Sequence, residues 1–450
     1  MDSKKLILIV GVVATIIIGV LLVVSMNSNS DSPSGQDGNN DNVNTPTGEP
    51  VTLEYWGLWE PEGVMLPLIE KYQQANPNVR IIYTQKSFEG YEGTLYTRLQ
   101  QGASAQSPAP DIFRIDNRWL NKFQGYLNPL PSTIMDPAEY SATFYPTAVS
   151  DFTGTDSQIY AIPLEVDGLA LFYNKELFAQ ASLSKPSGDW DSVIDEAKLL
   201  TIKDPSGNID QAGLAIGSAT NIKHSADILS LFLLQNGVEI NQNYNTEVSL
   251  TTQRAIDALD FYTSFTNEHE VWSSDLRSDL EMFFQGKLAM MLAPSWRAFD
   301  IINANPAIEF GIVPAPTLPG DPVYFSMYWG EAVSATSENS TEAWKFIKFL
   351  SEQDQIREFH NNSISVGGRA FGEPYSRKDM GAELQSHAYL GAFMEMAPQM
   401  KAWKIGEQSY IEEQLRTAIN DVAVNGTPSE VALLEAEESI NAKLAQLFGL

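Results

Sequence analysis

Across residues 51–115 the apolar side chains keep two rhythms in turn, and that alternation leaves the chain few folds to adopt. Val51, Leu53 and Tyr55 alternate with Thr52, Glu54 and Trp56, the period of a strand. Val64, Leu68, Tyr72 and Ala75 then recur at helical spacing until Pro77, a residue that cannot continue a helix. Residues 79–83 read as a second strand, 91–101 as a second helix, and 111–115, after Pro108 and Pro110, as a third strand. Strand, helix, strand, helix, strand at this pace predicts parallel βαβ units and hence a three-layer α/β lobe.

At 450 residues the chain is too long for one hydrophobic core, so a second lobe is expected. Extended runs at 160–164 and 168–173 read as a crossing segment between lobes. Helical patterns follow at 192–200, 225–235 and 252–266. Residues 283–292 read as a short helix turning at Gly286 into the strand 288–292. Residues 309–313 read as a strand before a proline-rich loop, 314–322. The amphipathic pattern at 342–350 and the helical stretches 410–423 and 428–448 complete the body, and no internal repeat is present.

The amino terminus has a different character. Lys4 and Lys5 precede an apolar run, 6–24, broken only by Thr15 and two glycines. The run approaches a bilayer span, and the positive charge before it directs the body outside the cell. It is read as an uncleaved single-pass anchor, with residues 1–5 cytoplasmic; a cleaved signal, releasing a secreted protein, is the alternative. Residues 25–50 hold almost nothing to bury and read as a disordered linker. With 28 Lys and Arg against 57 Asp and Glu, the net charge of −29 excludes a nucleic-acid partner. No cysteine is present, which excludes disulfides, thiolate metal sites and a lipidated-cysteine anchor.

Several stretches carry a family resemblance. Tyr55-Trp56-Gly57-Leu58-Trp59 ends the first strand, and Asn76-Pro77-Asn78-Val79 follows the first helix. Pro110-Asp111-Ile112-Phe113 precedes Gly125-Tyr126-Leu127-Asn128-Pro129-Leu130, and Ile159-Tyr160-Ala161-Ile162-Pro163 leads to Leu171-Phe172-Tyr173-Asn174-Lys175-Glu176-Leu177-Phe178. Farther on come Trp190, Gln235-Asn236-Gly237, Phe284-Gln285-Gly286-Lys287-Leu288-Ala289-Met290-Met291 with Trp296, and Ala343-Trp344-Lys345-Phe346-Ile347-Lys348-Phe349-Leu350. In this order the set resembles the family 1 extracellular solute-binding proteins, the maltose-binding-like receptors of ABC sugar importers. The resemblance implies a two-lobed α/β fold of type II with the ligand cleft between lobes. By analogy the first lobe takes 51–161 plus 324–362 and the second 162–323 plus 363–450. It also implies a monomeric receptor and its partners: a carbohydrate ligand, permease transmembrane subunits and a separate cytoplasmic ATPase.

Sugar recognition needs aromatic faces against the less polar sugar face and planar polar groups against hydroxyls. Candidates stand where open α/β sheets place ligands, after strand ends, and the resemblance implies polar ligand contacts about Asp116 and at Glu165 and Asp167, and a stacking aromatic at Trp296. They are Trp56 and Trp59 after the first strand, Asp116 and Asn117 after the third, and Glu165 and Asp167 in the crossing segment. Trp296, Trp329, Arg369 and Trp403 complete the set. For each the structural alternative stays open: core packing for the tryptophans, an N-cap for Asp116, hinge bonding for Asp167, a surface ion pair for Arg369.

Catalytic and metal motifs are absent. His224, His269, His360 and His387 are far apart with no zinc spacing, and no nucleophile elbow, phosphate loop or dinucleotide fingerprint occurs. No catalytic residue, metal site or cofactor is therefore assigned. A polysaccharide-binding surface protein outside transport is one alternative function; a glycoside-active enzyme using a carboxylate pair is another.

Overall fold

The computed structural model describes residues 49–102, 108–242 and 246–449. The apolar run 6–24, and with it the expected anchor, lies outside the described residues, as does nearly all of the linker. Among the described residues no helix is long and apolar enough to cross a membrane.

Two sheets organise the body. In the first, β1 (Val51–Gly57) buries Leu53 and Tyr55 on one face, the alternation read from sequence. It pairs in parallel with β2 (Val79–Gln85) along its whole length, and with β3 (Ile112–Asp116) on its other side. The helices between them, Glu62–Ala75 and Tyr91–Gln101, bury Val64, Leu68 and Tyr72, and Tyr91, Leu95 and Leu99. The third strand starts one residue later than its apolar pattern suggested. The Asp111 carboxylate accepts from Glu54 N at 2.8 Å at the sheet margin, and Asp116 is the last strand residue rather than the first loop residue.

Short strands β4 (Leu127–Asn128) and β5 (Ala161–Pro163) complete this sheet through a late strand from far along the chain. The second sheet contains β6 (Ala170–Asn174), β7 (Ile202–Lys203), β8 (Ile209–Leu214), β9 (Leu288–Ala293) and β10 (Phe310–Pro314), in the order β10-β6-β9-β8-β7. β8 and β9 are parallel, whereas β6 is antiparallel to both neighbours. Every residue of β6 and β9 is buried, which explains their unbroken apolar sequences. Pro314, without an N–H, sits at the end of the edge strand β10. Asn174, in the Tyr-Asn-Lys-Glu motif, caps the helix Lys175–Gln180 by accepting from Glu176 N and Leu177 N.

The chain then returns through β11 (Tyr324–Phe325) to β12 (Trp329–Ser334), which lies antiparallel to β3, β4 and β5. The first sheet therefore runs β2-β1-β3-β12-β4, with β5 also on β12. The outgoing segment from β5 to β6 and the return from β11 to β12 touch: Leu169 N donates to Phe325 O at 3.1 Å and Met327 N to Asp167 O at 2.9 Å. Gly168 is required at this contact, since a Cβ there would meet Phe325 O at 2.2 Å.

A third passage leaves the helix Gln353–Ser365, which packs on the helix Glu62–Ala75 and runs through residue 362. It passes Ser376, whose hydroxyl donates to Pro163 O at 2.8 Å, and reaches the helix Gly391–Met396 against β10. The terminal helices Gln408–Ala423 and Ser429–Phe448 pack on each other and on Gln253–Asn267.

Candidate functional site

The ends of β1, β2 and β3 and the start of β12 lie at one margin of the first sheet, and each carries an aromatic ring there. Trp329 is the centre. Its ring centroid is 5.9 Å from Trp59, 6.1 Å from Phe88, 6.4 Å from Tyr91 and 5.1 Å from Trp119, all edge-on. Such tilted contacts suit the ring quadrupoles and fix the rings against one another. Trp119 is buried, while Trp59 is 37% and Phe88 56% exposed, so the group has an open apolar face. Trp56 stands apart from it, half-buried, with Lys86 Nζ 4.1 Å from its ring centre.

Behind this wall is a buried charge cluster. The Arg114 guanidinium, on β3, meets Glu331 at 2.7 Å, Glu60 at 3.1 Å and Glu165 at 3.6 Å, with all four side chains at least nine-tenths buried. Arg369 pairs with Glu373 and lies 3.9 Å from Glu60, its guanidinium 5.7 Å from the Phe299 ring centre. Four carboxylates thus share two guanidinium groups. Burial pushes the Glu165 carboxyl well above the usual carboxylate range although Arg114 pulls the other way. Glu165 and Arg369, both proposed from sequence as ligand contacts, are engaged inside this cluster.

Asn117 is fully buried in a second polar network. Its Nδ2 donates to Asp151 Oδ2 at 2.9 Å, and its Oδ1 accepts from Tyr328 N at 3.2 Å. Thr147 and Tyr328 hydroxyls also donate to Asp151, each at 2.9 Å. Burial nevertheless pushes Asp151 up to about 6.

Asp116 binds the Arg118 guanidinium at 2.8 Å. Arg118 also reaches Asp227 at 3.2 Å and Glu412 at 3.5 Å, on the helices Ser225–Gln235 and Gln408–Ala423. Burial opposes ionisation of Asp227, but the His224 bond and Arg118 together hold its carboxyl below the usual range. His224 in turn accepts from Arg297 Nε at 3.1 Å, beside Trp296. Asp227, Glu412 and Trp403 line a small recess with Arg118 and Phe325. Asp167 is buried with its carboxylate on Ser295, the residue before Trp296. Sequence reasoning missed Phe88, Arg118, Asp227 and the charge cluster. Among the described residues there is no group of three or more His, Cys, Asp or Glu side chains suited to a metal.

Two α/β halves joined by three passages, with aromatic rings and polar side chains gathered at strand ends, define a two-lobed ligand-binding protein. The fold agrees with that of a cyclo/maltodextrin-binding protein complexed with maltotetraose: TM-score 0.72 at 18% identity, covering 89% of this chain and 99% of that one. Residues 59–356 match the bacterial extracellular solute-binding protein family, and the chain belongs to it. Among its relatives, a binding protein of Brucella abortus is 25% identical over 300 residues, covering 65% of this chain and 69% of the relative. A maltooligosaccharide ABC transporter solute-binding lipoprotein of Streptococcus pneumoniae is 21% identical over 318 residues, covering 67% and 70%.

Proposed function

We propose that the chain is the extracytoplasmic receptor of an ABC importer and captures a sugar or oligosaccharide between two lobes, 51–161 with 324–362 and 162–323 with 363–450. The observation that carries this reading is the exposed aromatic wall centred on Trp329. Flat apolar rings beside the Asp116 and Arg118 pair offer a sugar ring both of the surfaces it needs. Trp59 and Trp329 stack the ligand from one side, Trp296 and Trp403 from the other, and Asp116, both of its oxygens taken by Arg118, fixes that guanidinium beside the rings. Asn117, Glu165 and Arg369 act by holding the loops that bear these groups, and Trp56 flanks the wall. Captured sugar is passed unchanged to permease subunits driven by a separate ATPase. The maltooligosaccharide and maltodextrin specificities named for the similar proteins support a carbohydrate cargo.

Residues 6–24 anchor the receptor in the membrane, and the linker confines it near its permease, raising its local concentration there. Calorimetric titration of the full chain in detergent, with monosaccharides, maltooligosaccharides, amino acids and short peptides, tests the cargo. Saturable heat with one sugar class, and sugar recovered intact, is expected. Heat with peptides alone would remove the carbohydrate assignment. Mass spectrometry of the membrane-bound protein tests the anchor, which requires an intact amino terminus.

A further inference from the structure

Asp167 stands where three segments of the chain meet. Its backbone oxygen accepts from Met327 N of the return segment at 2.9 Å. Its carboxylate accepts from Gly168 N at 2.7 Å and from Ser295 N at 3.2 Å, and the Ser295 hydroxyl donates to Oδ2. Both side-chain oxygens are thereby occupied, and the residue is 2% exposed. Ser295 follows β9 and opens the turn into the helix Arg297–Ala304, with Ala298 N donating to Ser295 O at 3.0 Å. Trp296 is the next residue, its ring 6.4 Å from His224. Among the described residues the Asp167 carboxylate is the side-chain acceptor of the Ser295 amide, so the approach of Trp296 to the cleft is set largely from Asp167. A carboxylate with its acceptor positions taken by the protein has little left for a ligand hydroxyl.

We infer that Asp167 is a positioning residue that ties the Trp296 loop to the paired crossing segments, so that the stacking surface of the second half follows the geometry of the crossing. The inference rests on the receptor reading above. It makes the orientation of Trp296 and the arrangement of the two halves one structural variable, because Met327, Gly168 and Ser295 are held by the same residue.

Fluorotryptophan-labelled full-length protein provides a test that needs no ligand. Trp296→Phe identifies the Trp296 fluorine resonance. Asp167→Ala is expected to shift or broaden that resonance while the Trp119 and Trp190 resonances stay in place, and Asp167→Asn to restore it. Ser295→Ala, which removes only the hydroxyl, gives a smaller shift of the same kind should Asp167→Ala not fold. An unmoved Trp296 resonance in both Asp167→Ala and Ser295→Ala overturns the inference.

Sugar titration then separates it from the receptor reading. Asp167→Ala should weaken binding about tenfold, the scale of leaving a buried amide unpaired. In a Trp296→Ala background it should cost almost nothing further. Losses that multiply across the two sites would show Asp167 acting independently of Trp296 and overturn the inference. A chain that binds no sugar overturns the receptor reading, and the fluorine spectrum still decides the role of Asp167.

Discussion

The two halves present their aromatic groups by different physical means. In the first, Trp59, Phe88, Tyr91, Trp119 and Trp329 hold one another by ring contacts at strand ends, with the Arg114 cluster behind them. Tyr91 joins wall to cluster, its hydroxyl donating to Arg114 O at 3.0 Å. In the second, Trp296 follows a turn held by Asp167 and flanked by His224 and Arg297. Ring packing carries no charge and keeps its geometry across pH, whereas a surface hung on a buried carboxylate inherits that group's titration. One face is prebuilt, and the other is adjustable.

The most severe way to break the first half is to remove its buried cation. Arg114→Met leaves Glu165 and Glu331 uncompensated and Glu60 with only the more distant Arg369, and a loss of about 3–5 kcal/mol of stability is expected in urea denaturation. A change under about 1 kcal/mol would mean that the carboxyls simply take up protons and that the cluster contributes little.

The second half should be broken by pH instead. Burial, opposed by the bonds from Ser295 and Gly168 and aided by Glu373, pushes Asp167 up to about 8. The unfolded chain loses this proton near pH 4, so between about pH 4 and 8 the folded state holds more protons and its stability falls as pH rises. Asp167→Asn lacks the titration. Its stability relative to the wild-type chain should therefore improve from pH 5 to pH 8 by a few kcal/mol and level off above. Measuring the difference cancels Asp151, which titrates alike in both proteins. A difference that does not vary with pH would place Asp167 as an ordinary ionised carboxylate.

How legible these halves were in the sequence follows from the range of the interactions that build them. The βαβ opening was readable because its periods are local: Tyr91–Gln101 and Ser225–Gln235 have the bounds their apolar spacing predicts. The helix Gln353–Ser365 was missed, since Ile356, Phe359 and His360 bury a narrow stripe amid polar neighbours. Sheet order was not readable, because β12 joins β3 across more than two hundred residues, and that pairing is what brings Trp329 to Trp59. Trp59 was singled out as following the first strand, Trp296 through the resemblance and Trp329 at the return crossing, whereas Phe88 was passed over although Ser87-Phe88-Glu89 exposes an aromatic after β2. Arg114 and Glu331 left a visible signal, a charge in the middle of each of two buried strands, but their pairing needs the folded sheet.

Smaller effects sharpen the contrast between wall and surroundings. Trp329→Ala removes the ring that four others contact. It should weaken sugar binding by about 2–3 kcal/mol, roughly a hundredfold, the scale of a central aromatic anchor. Lys86→Ala is the control with the smallest expected effect. Its ammonium sits over Trp56, outside the wall, so the substitution removes a partly exposed cation–π contact worth about 0.5 kcal/mol of stability. Sugar affinity should stay unchanged, because among the described residues no ring contact joins Trp56 to the Trp329 group. A drop in affinity with Lys86→Ala comparable to that of Trp329→Ala would extend the ligand surface to Trp56. The ring-packed group would then be only part of what the first half presents.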